Sequence, residues 1–66
     1  MSERTWLIEA RKKAMLNQKE AACRSGISQP SYCAIEKGKS SPRVLIAKKI
    51  AEVLGFDWTL FYEDKA

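Results

Sequence analysis

Helix-capping residues divide this chain into short segments, and that division most limits what it can fold into. Three apolar-periodic segments are each followed by a glycine, at Gly26, Gly38 and Gly55. Glycine readily adopts the left-handed backbone that closes a helix. Val, Ile and Thr never alternate over the length of a strand. The sequence therefore predicts an all-α fold, a compact arrangement of five short helices.

The capping residues and the apolar spacing also predict where each helix begins and ends. Asn17 and Glu20 have the spacing of a capping box, and Ser28 is a suitable cap for the next helix. Pro30 is harmless there, because first-turn amides have no intrahelical partner. The predicted helices are about Thr5–Ala14, Gln18–Ser25, Gln29–Lys37, a fourth with Ser41 as cap and Pro42 as first residue, and a short fifth capped by Asp57. The predicted inner face of the fourth helix is Val44, Ala47, Ile50, Ala51 and Leu54.

Length and composition indicate one soluble globular domain. The 66 residues, 45% hydrophobic and 30% charged, predict a single domain over 1–66, with a core over about 5–62 and a polar tail over 63–66. No apolar run approaches the ~20 residues of a membrane span, and residues 1–4 lack the pattern of a signal peptide. We therefore expect a cytoplasmic protein with no membrane partner.

The composition gives little support to catalytic or metal chemistry. Histidine, the commonest general base, is absent, and two cysteines alone do not make a zinc site. Cys23 and Cys33 are expected to be reduced thiols, with a redox role left open. We expect a protein that is not an enzyme, with no catalytic residue, cofactor or metal.

Positive charge is concentrated in the first two thirds of the chain. Residues 1–43 carry nine Lys or Arg against four acids, whereas residues 44–66 carry three Lys against four acids. A basic front and a near-neutral back suggest a polyanionic partner on one side.

The central motif is a pair of short helices joined by the tight turn Gly26–Ser28. The second helix of such a pair can stand out from the body of the domain. A helix that enters the DNA major groove has polar groups at its N-terminus and little bulk along its outer face. Tyr32 and Ile35 are expected to face inward. The predicted base-reading residues are Gln29, Pro30, Ser31 and Ala34.

From about Leu7 to Tyr62, the sequence resembles the lambda-repressor and Cro-like helix-turn-helix regulators. The resemblance rests on "LNQKEAACRSGIS", "SYCAIEKGKSSPR" and "IAEVLG", in this order and spacing. It implies that Gln18 contacts a phosphate and buttresses Gln29, and that Arg11 and Glu36 form a structural ion pair. The phosphate-contacting residues that it implies are Arg11, Asn17, Gln18, Lys37, Lys39, Ser40 and Arg43.

Some positions depart from the family pattern. Ala10, Ala21 and Ser25 stand where leucine is usual, which predicts a thin core between the first two helices. We expect Trp6, Tyr32 and Phe61 to fill that space. Met15 replaces a helix-ending glycine, so positive φ is expected there at some cost.

A single small module buries too little DNA surface for strong discrimination, so a homodimer on a pseudo-palindromic operator is expected. The residues predicted for the dimer interface are Leu45, Ile46, Val53 and Leu60. The resulting hypothesis is a sequence-specific transcriptional regulator that occludes or contacts RNA polymerase. The alternative is a protein-interaction module on the same fold, such as an antitoxin.

Overall fold

The computed structural model describes residues 3–63, and all its regular secondary structure is helical. The described helices are α1 (Thr5–Lys13), α2 (Gln18–Ser25), α3 (Gln29–Glu36), α4 (Val44–Leu54) and α5 (Leu60–Glu63). The predicted all-α fold with five helices is confirmed. Residues 1–2 and 64–66 lie outside the described residues, and so does most of the predicted polar tail. Within residues 3–63, no helix is long and apolar enough to cross a bilayer.

The ends of α2 and the start of α3 follow from local capping, as predicted. Asn17 Oδ1 accepts from the Glu20 N–H at 2.8 Å, and Glu20 Oε1 accepts from the Asn17 N–H at 3.0 Å. Gly26 closes α2 in the left-handed region, with φ of 78°. The Ser28 hydroxyl oxygen then accepts from the Ser31 N–H at 3.3 Å and caps α3. These contacts set a tight turn between the two helices.

The start of α4 differs from the prediction. Arg43, and not Ser41, is the N-cap residue, and Val44 is the first helical residue. The preceding segment is held by distant side chains, since the Tyr62 hydroxyl donates to Pro42 O at 2.9 Å. Val44 was predicted to face inward, but it is 47% exposed. The remaining predicted inner residues of α4 are buried, namely Ala47, Ile50, Ala51 and Leu54.

The short fifth helix also begins later than predicted. Asp57 Oδ1 accepts from the Thr59 N–H at 3.0 Å and from its hydroxyl at 2.8 Å. These bonds close a local turn on Thr59 that precedes the helix, so regular α5 starts only at Leu60.

The core lies where α2 packs against α3 and α4, with α1 packed against α3. Small side chains let these helices approach, because Ala21, Ala22 and Ser25 are almost completely buried on α2. Tyr32 on α3 and Leu7 on α1 are completely buried.

Aromatic side chains form a cluster that includes Trp6 on α1. The Trp6 ring packs edge-on against Phe56 at 5.1 Å and Phe61 at 5.2 Å between ring centroids. Trp6 and Phe61 therefore join α1 to the chain that follows α4. Edge-on aromatic pairs of this kind stabilise a small core beyond the area that they bury.

Met15 has φ of 63°, the positive value that was expected because Met15 replaces the helix-ending glycine of the family. Its side chain is 88% exposed, so packing does not compensate for the strained backbone.

Candidate nucleic-acid interface

The N-terminal half of α3 presents a polar outer face on an apolar inner one. Gln29, Pro30 and Ser31 are exposed, while Tyr32 and Ile35 are buried beneath them. This alternation follows the helical spacing expected from the sequence. The exposed groups at this end include an amide and a hydroxyl, which can bond to base edges.

A buried carboxylate holds α3 in place. Glu36, at the end of α3, is only 2% exposed. Its Oε2 accepts from Arg11 Nε of α1 at 2.6 Å, and its Oε1 accepts from the amide nitrogen of Gln18 of α2 at 2.8 Å. The Arg11–Glu36 pair implied by the resemblance is thus present. One carboxylate joins the three helices that carry the candidate interface.

Gln18 has a different partner from the one that the resemblance implied. Its amide donates to Glu36, and among the described residues no hydrogen bond joins it to Gln29. Gln18 bonds to Glu36 because the start of α2 lies beside the end of α3, where the Glu36 carboxylate is located.

Tyr32 adds a titratable group next to this carboxylate. Burial, followed by the neighbouring Glu36 carboxylate, raises the pKa of the Tyr32 phenol far above its ordinary value of 10.0. The phenol is therefore neutral at physiological pH and serves as part of the core.

The α3–α4 loop (37–43) begins with a closely bonded turn. The Gly38 N–H donates to Ile35 O at 3.2 Å and the Lys39 N–H to Ala34 O at 3.0 Å, which is the Schellman arrangement. Gly38 has φ of 77°, the left-handed conformation that this arrangement needs. The loop therefore leaves α3 in a defined direction, with Lys37, Lys39, Ser40 and Arg43 exposed.

An open groove of about 510 Å³ brings several predicted base-reading and phosphate-contacting residues together. On the α3 side it is lined by Pro30, Ser31 and Ala34, and on the loop side by Ser40 and Arg43. Apolar side chains line the rest of the groove, namely Ile27, Ile35, Pro42 and Ile46. Five of the predicted residues, namely Pro30, Ser31, Ala34, Ser40 and Arg43, thus share this groove, whereas Gln29, Lys37 and Lys39 do not line it.

The remaining phosphate candidates lie near the start of α2. Asn17 is exposed, and the capping box uses its Oδ1 and its backbone N–H, which leaves the amino group of its side chain. Arg11 is half-buried, and it uses Nε on Glu36 and Nη1 on Leu16 O, at 3.1 Å.

The family model described as helix-turn-helix matches residues 7–61, most of the chain. This chain belongs to the lambda-repressor and Cro-like helix-turn-helix family. The motif that defines the family is formed here by α2 and α3, as predicted. Proteins of this family are typically not enzymes.

Two relatives of this helix-turn-helix protein are named as regulators. An uncharacterized HTH-type transcriptional regulator of Bacillus subtilis, YqaF, is 44% identical over 61 residues, which is 92% of this chain and 80% of the relative. Another uncharacterized HTH-type transcriptional regulator, from Methanothermobacter thermautotrophicus, is 42% identical over 52 residues, which is 79% of this chain and 75% of the relative. No solved structure matches the chain. None of these comparisons supports the antitoxin alternative.

The residues predicted for a dimer interface of this helix-turn-helix protein differ in exposure. Leu45 is 71% exposed. Ile46 and Val53 are half-buried against the core, and Leu60 is half-buried. The prediction had turned Leu45, Ile46 and Leu60 outward, with Val53 as an addition, and of these four residues Ile46 and Val53 pack against the protein's own core. The sequence did not single out Tyr62, which is 39% exposed in α5.

The cysteines of the helix-turn-helix protein are free thiols, with Cys23 exposed and Cys33 half-buried. Among residues 3–63, no cluster of three or more Cys, Asp or Glu side chains could hold a metal ion.

Sequence reasoning missed Arg4. This side chain lies immediately before α1, is 7% exposed, and reaches the end of α3. The sequence around it, a charged and polar N-terminal stretch, is typical of solvent-exposed residues and gave no indication of burial.

Proposed function

We propose that this helix-turn-helix protein is a sequence-specific transcriptional regulator that binds double-stranded DNA as a homodimer. The N-terminal half of α3 enters the major groove of each half-site of a pseudo-palindromic operator. The protein acts in the cytoplasm on the DNA of the nucleoid, and it occludes RNA polymerase or contacts it. The proposed base-reading residues are Gln29, Pro30, Ser31 and Ala34.

The observation that carries this proposal is that the N-terminal end of α3 is exposed and polar, while the opposite side of the helix is fixed to the core. Tyr32 and Ile35 are buried on the inner face of α3, and Glu36 bonds to side chains of α1 and α2. A helix held in this way can enter a groove without reorganising, which reduces the entropic cost of binding.

The polar and basic residues around α3 support a role in gripping the DNA backbone. Phosphate contacts fix the register of a protein on DNA, and each one makes the affinity fall with salt. The residues proposed for this role are Arg11, Asn17, Gln18, Lys37, Lys39, Ser40 and Arg43. Helix N-termini also attract phosphates, and the start of α2 is capped but exposed at Asn17.

Homodimer formation is proposed for the α4–α5 surface, which we define as Leu45, Trp58 and Tyr62. Leu45 and Tyr62 are exposed, and the Tyr62 hydroxyl is bonded to the Pro42 carbonyl just before α4. The Trp58 and Tyr62 rings pack at 5.9 Å, and Lys48 Nζ lies 5.2 Å from the centre of the Trp58 ring. Aromatic side chains with a nearby leucine are typical anchors of a protein interface.

Selection of bound duplexes from a random pool tests the proposal. The expected motif has two half-sites related by a twofold axis, with centres about one helical turn, or a multiple of it, apart. Titration of the selected duplex by fluorescence anisotropy should show affinity that falls steeply with salt and exceeds that for scrambled duplexes. Recovery of no motif, or equal affinity for every duplex, would refute sequence-specific binding.

A further inference from the structure

Arg4 is buried just outside the helix-turn-helix, at a position where a charged side chain needs several partners. Its backbone N–H donates to Glu36 O at 2.8 Å, and Nη1 donates to Ile35 O at 2.6 Å. Both carbonyls belong to the last turn of α3, where a cation is favoured by the helix dipole. Arg4 therefore satisfies two carbonyl groups at the end of α3 and joins α3 to the start of α1.

The same guanidinium reaches beyond α3 into the α3–α4 loop. Nη1 also donates to Ser40 O at 3.1 Å, and Nη2 donates to the Ser41 hydroxyl oxygen at 3.4 Å. The guanidinium carbon lies 5.5 Å from the centre of the Phe61 ring in α5. One side chain thus connects α1, α3, the loop and α5.

These contacts fix the part of the loop that carries the proposed phosphate contacts. The Ser40 N–H donates to Ala34 O at 3.3 Å, while its carbonyl accepts from Arg4. The backbone of Ser40 is therefore held on both sides, by α3 and by Arg4. Lys39 precedes this fixed point and Arg43 follows it by three residues.

We propose that Arg4 is a positioning residue for DNA binding, which sets the loop so that Lys39, Ser40 and Arg43 meet the phosphates together. This inference rests on the proposed function. Arg4 is buried, so it acts through the loop and not by touching DNA. A role in stability alone would leave the number of phosphates contacted by the folded protein unchanged.

The first experiment follows the loop in the free protein and needs no DNA. Arg4→Met keeps an unbranched side chain and the backbone bond to Glu36 O, but it removes the bonds to Ile35, Ser40 and Ser41. We expect amide hydrogen exchange at Lys39 and Ser40 to become at least about 10-fold faster, with much smaller changes in α2. The matched control is Arg24→Met, which removes the same charge from an exposed position on α2. Unchanged exchange in the loop would overturn the inference.

The second experiment measures DNA binding against salt, below the melting temperature of each variant. Arg4→Met should lower the affinity for the selected duplex by roughly 10-fold and reduce the slope of log affinity against log salt by about one phosphate contact. Arg4→Lys keeps the charge and a donor near Ile35 O, so it should restore part of the slope. Arg24→Met should leave the slope unchanged. A lower melting temperature with an unchanged slope would make Arg4 a structural residue only.

A double-mutant cycle that combines Arg4→Met with Arg43→Ala distinguishes a positioning role of Arg4 from a purely structural one, and the measured quantity is the affinity for the selected duplex. If Arg4 places Arg43 on its phosphate, Arg43→Ala should cost less affinity in the Arg4→Met background than in the wild type. Independent, additive losses would contradict the inference. Should Arg4→Met not fold, Ser41→Ala, which removes only the Nη2 acceptor, should make loop exchange about 2-fold faster and should lower the salt slope measurably. No change in either quantity would overturn the inference.

The two experiments separate this inference from the proposed function. Failure of the wild type to bind any duplex would refute the proposed function, and faster loop exchange in Arg4→Met would then show positioning of the loop without DNA as its partner. Strong wild-type binding with no effect of Arg4→Met on slope or exchange would refute the inference alone.

Discussion

Arg11 Nε lies 2.6 Å from Glu36 Oε2, and this ion pair joins the first helix to the end of the third. Because Glu36 is almost completely buried, removal of one of its partners leaves a buried polar group uncompensated. Gln18 binds the other carboxylate oxygen at 2.8 Å, so α1, α2 and α3 meet at one side chain. The orientation of the proposed reading helix depends on this meeting point.

Glu36→Gln should therefore destabilise the protein by about 3 kcal/mol, because it leaves Arg11 partly buried without its counter-ion. The free energy of unfolding from urea titration measures this. Glu9→Gln changes an exposed acid on α1 and is the control, with an expected effect within about 0.5 kcal/mol. The double variant Arg11→Met/Glu36→Leu should lose less stability than the two single changes added together. Full additivity would show that the pair is not coupled.

Gln29→Ala should weaken binding to the selected duplex by ~1–3 kcal/mol and relax the preference at one base position of each half-site. The side chain is exposed at the first residue of α3, so its removal leaves the fold intact. Selection from a random pool, repeated with the variant, identifies the position that is relaxed.

Arg43→Ala is the contrasting variant for Gln29→Ala. It should weaken binding to all sequences alike and reduce the salt slope by about one, because a phosphate contact carries no base information. If both variants had the same effect on every duplex, the division into base and phosphate contacts would be wrong.

Leu45→Glu should prevent self-association while leaving the monomer folded, because Leu45 is 71% exposed on the α4–α5 surface. We expect at least about a 10-fold weaker dimer in sedimentation equilibrium, with a parallel loss of affinity for the two-half-site duplex. Met15→Glu places the same charge at an exposed apolar position before α2 and should leave association unchanged. A Leu45→Glu protein as dimeric as the wild type would exclude this surface.

Stability should fall as the pH rises above about 10, the ordinary pKa of tyrosine. The pKa of Tyr32 is raised in the folded protein, so its stabilising contribution is complete below the unfolded-state pKa. Above that pKa the contribution of Tyr32 to the free energy of unfolding declines by up to about 1.4 kcal/mol per pH unit. The reason is that the unfolded chain loses the phenol proton more readily than the folded protein. Urea titrations between pH 8 and 11 on the wild type and Tyr32→Phe measure the difference. Tyr62→Phe is the control, and identical pH profiles for wild type and Tyr32→Phe would contradict the prediction.

Met15→Gly should stabilise the protein by about 1 kcal/mol, because glycine adopts φ of 63° without the strain of a side chain. Little packing is lost, since Met15 is 88% exposed. Met15→Ala is the matched control, which removes most of the side chain but keeps Cβ and should give no gain. An equal melting temperature for the two variants would argue against backbone strain at this position.

Apart from the Arg11–Glu36 pair, which the family resemblance implied, the residues that the sequence placed correctly depend on neighbours a few positions away. The Asn17–Glu20 capping box, the Ser28 cap and the left-handed Gly26 are formed within one turn of helix. The positive φ of Met15, just after α1, was implied by the family resemblance, because the family has a helix-ending glycine at this position. Helical spacing was sufficient to place Tyr32 and Ile35 inside and the N-terminal residues of α3 outside, because the period of the helix is fixed, but it did not predict the burial of Glu36.

Only the tertiary structure decided the features that rest on distant contacts. Arg4 and Ile35 are 31 residues apart in sequence, and Tyr62 and Pro42 are 20 apart, yet these contacts shape the loop and the start of α4. Burial of Arg4 and the turn of Trp6 towards Phe56 and Phe61 have the same origin. A capping bond competes only with water and nearby backbone, so local sequence can determine it. The partner of a long side chain depends on which surfaces the folded helices bring within a few ångströms.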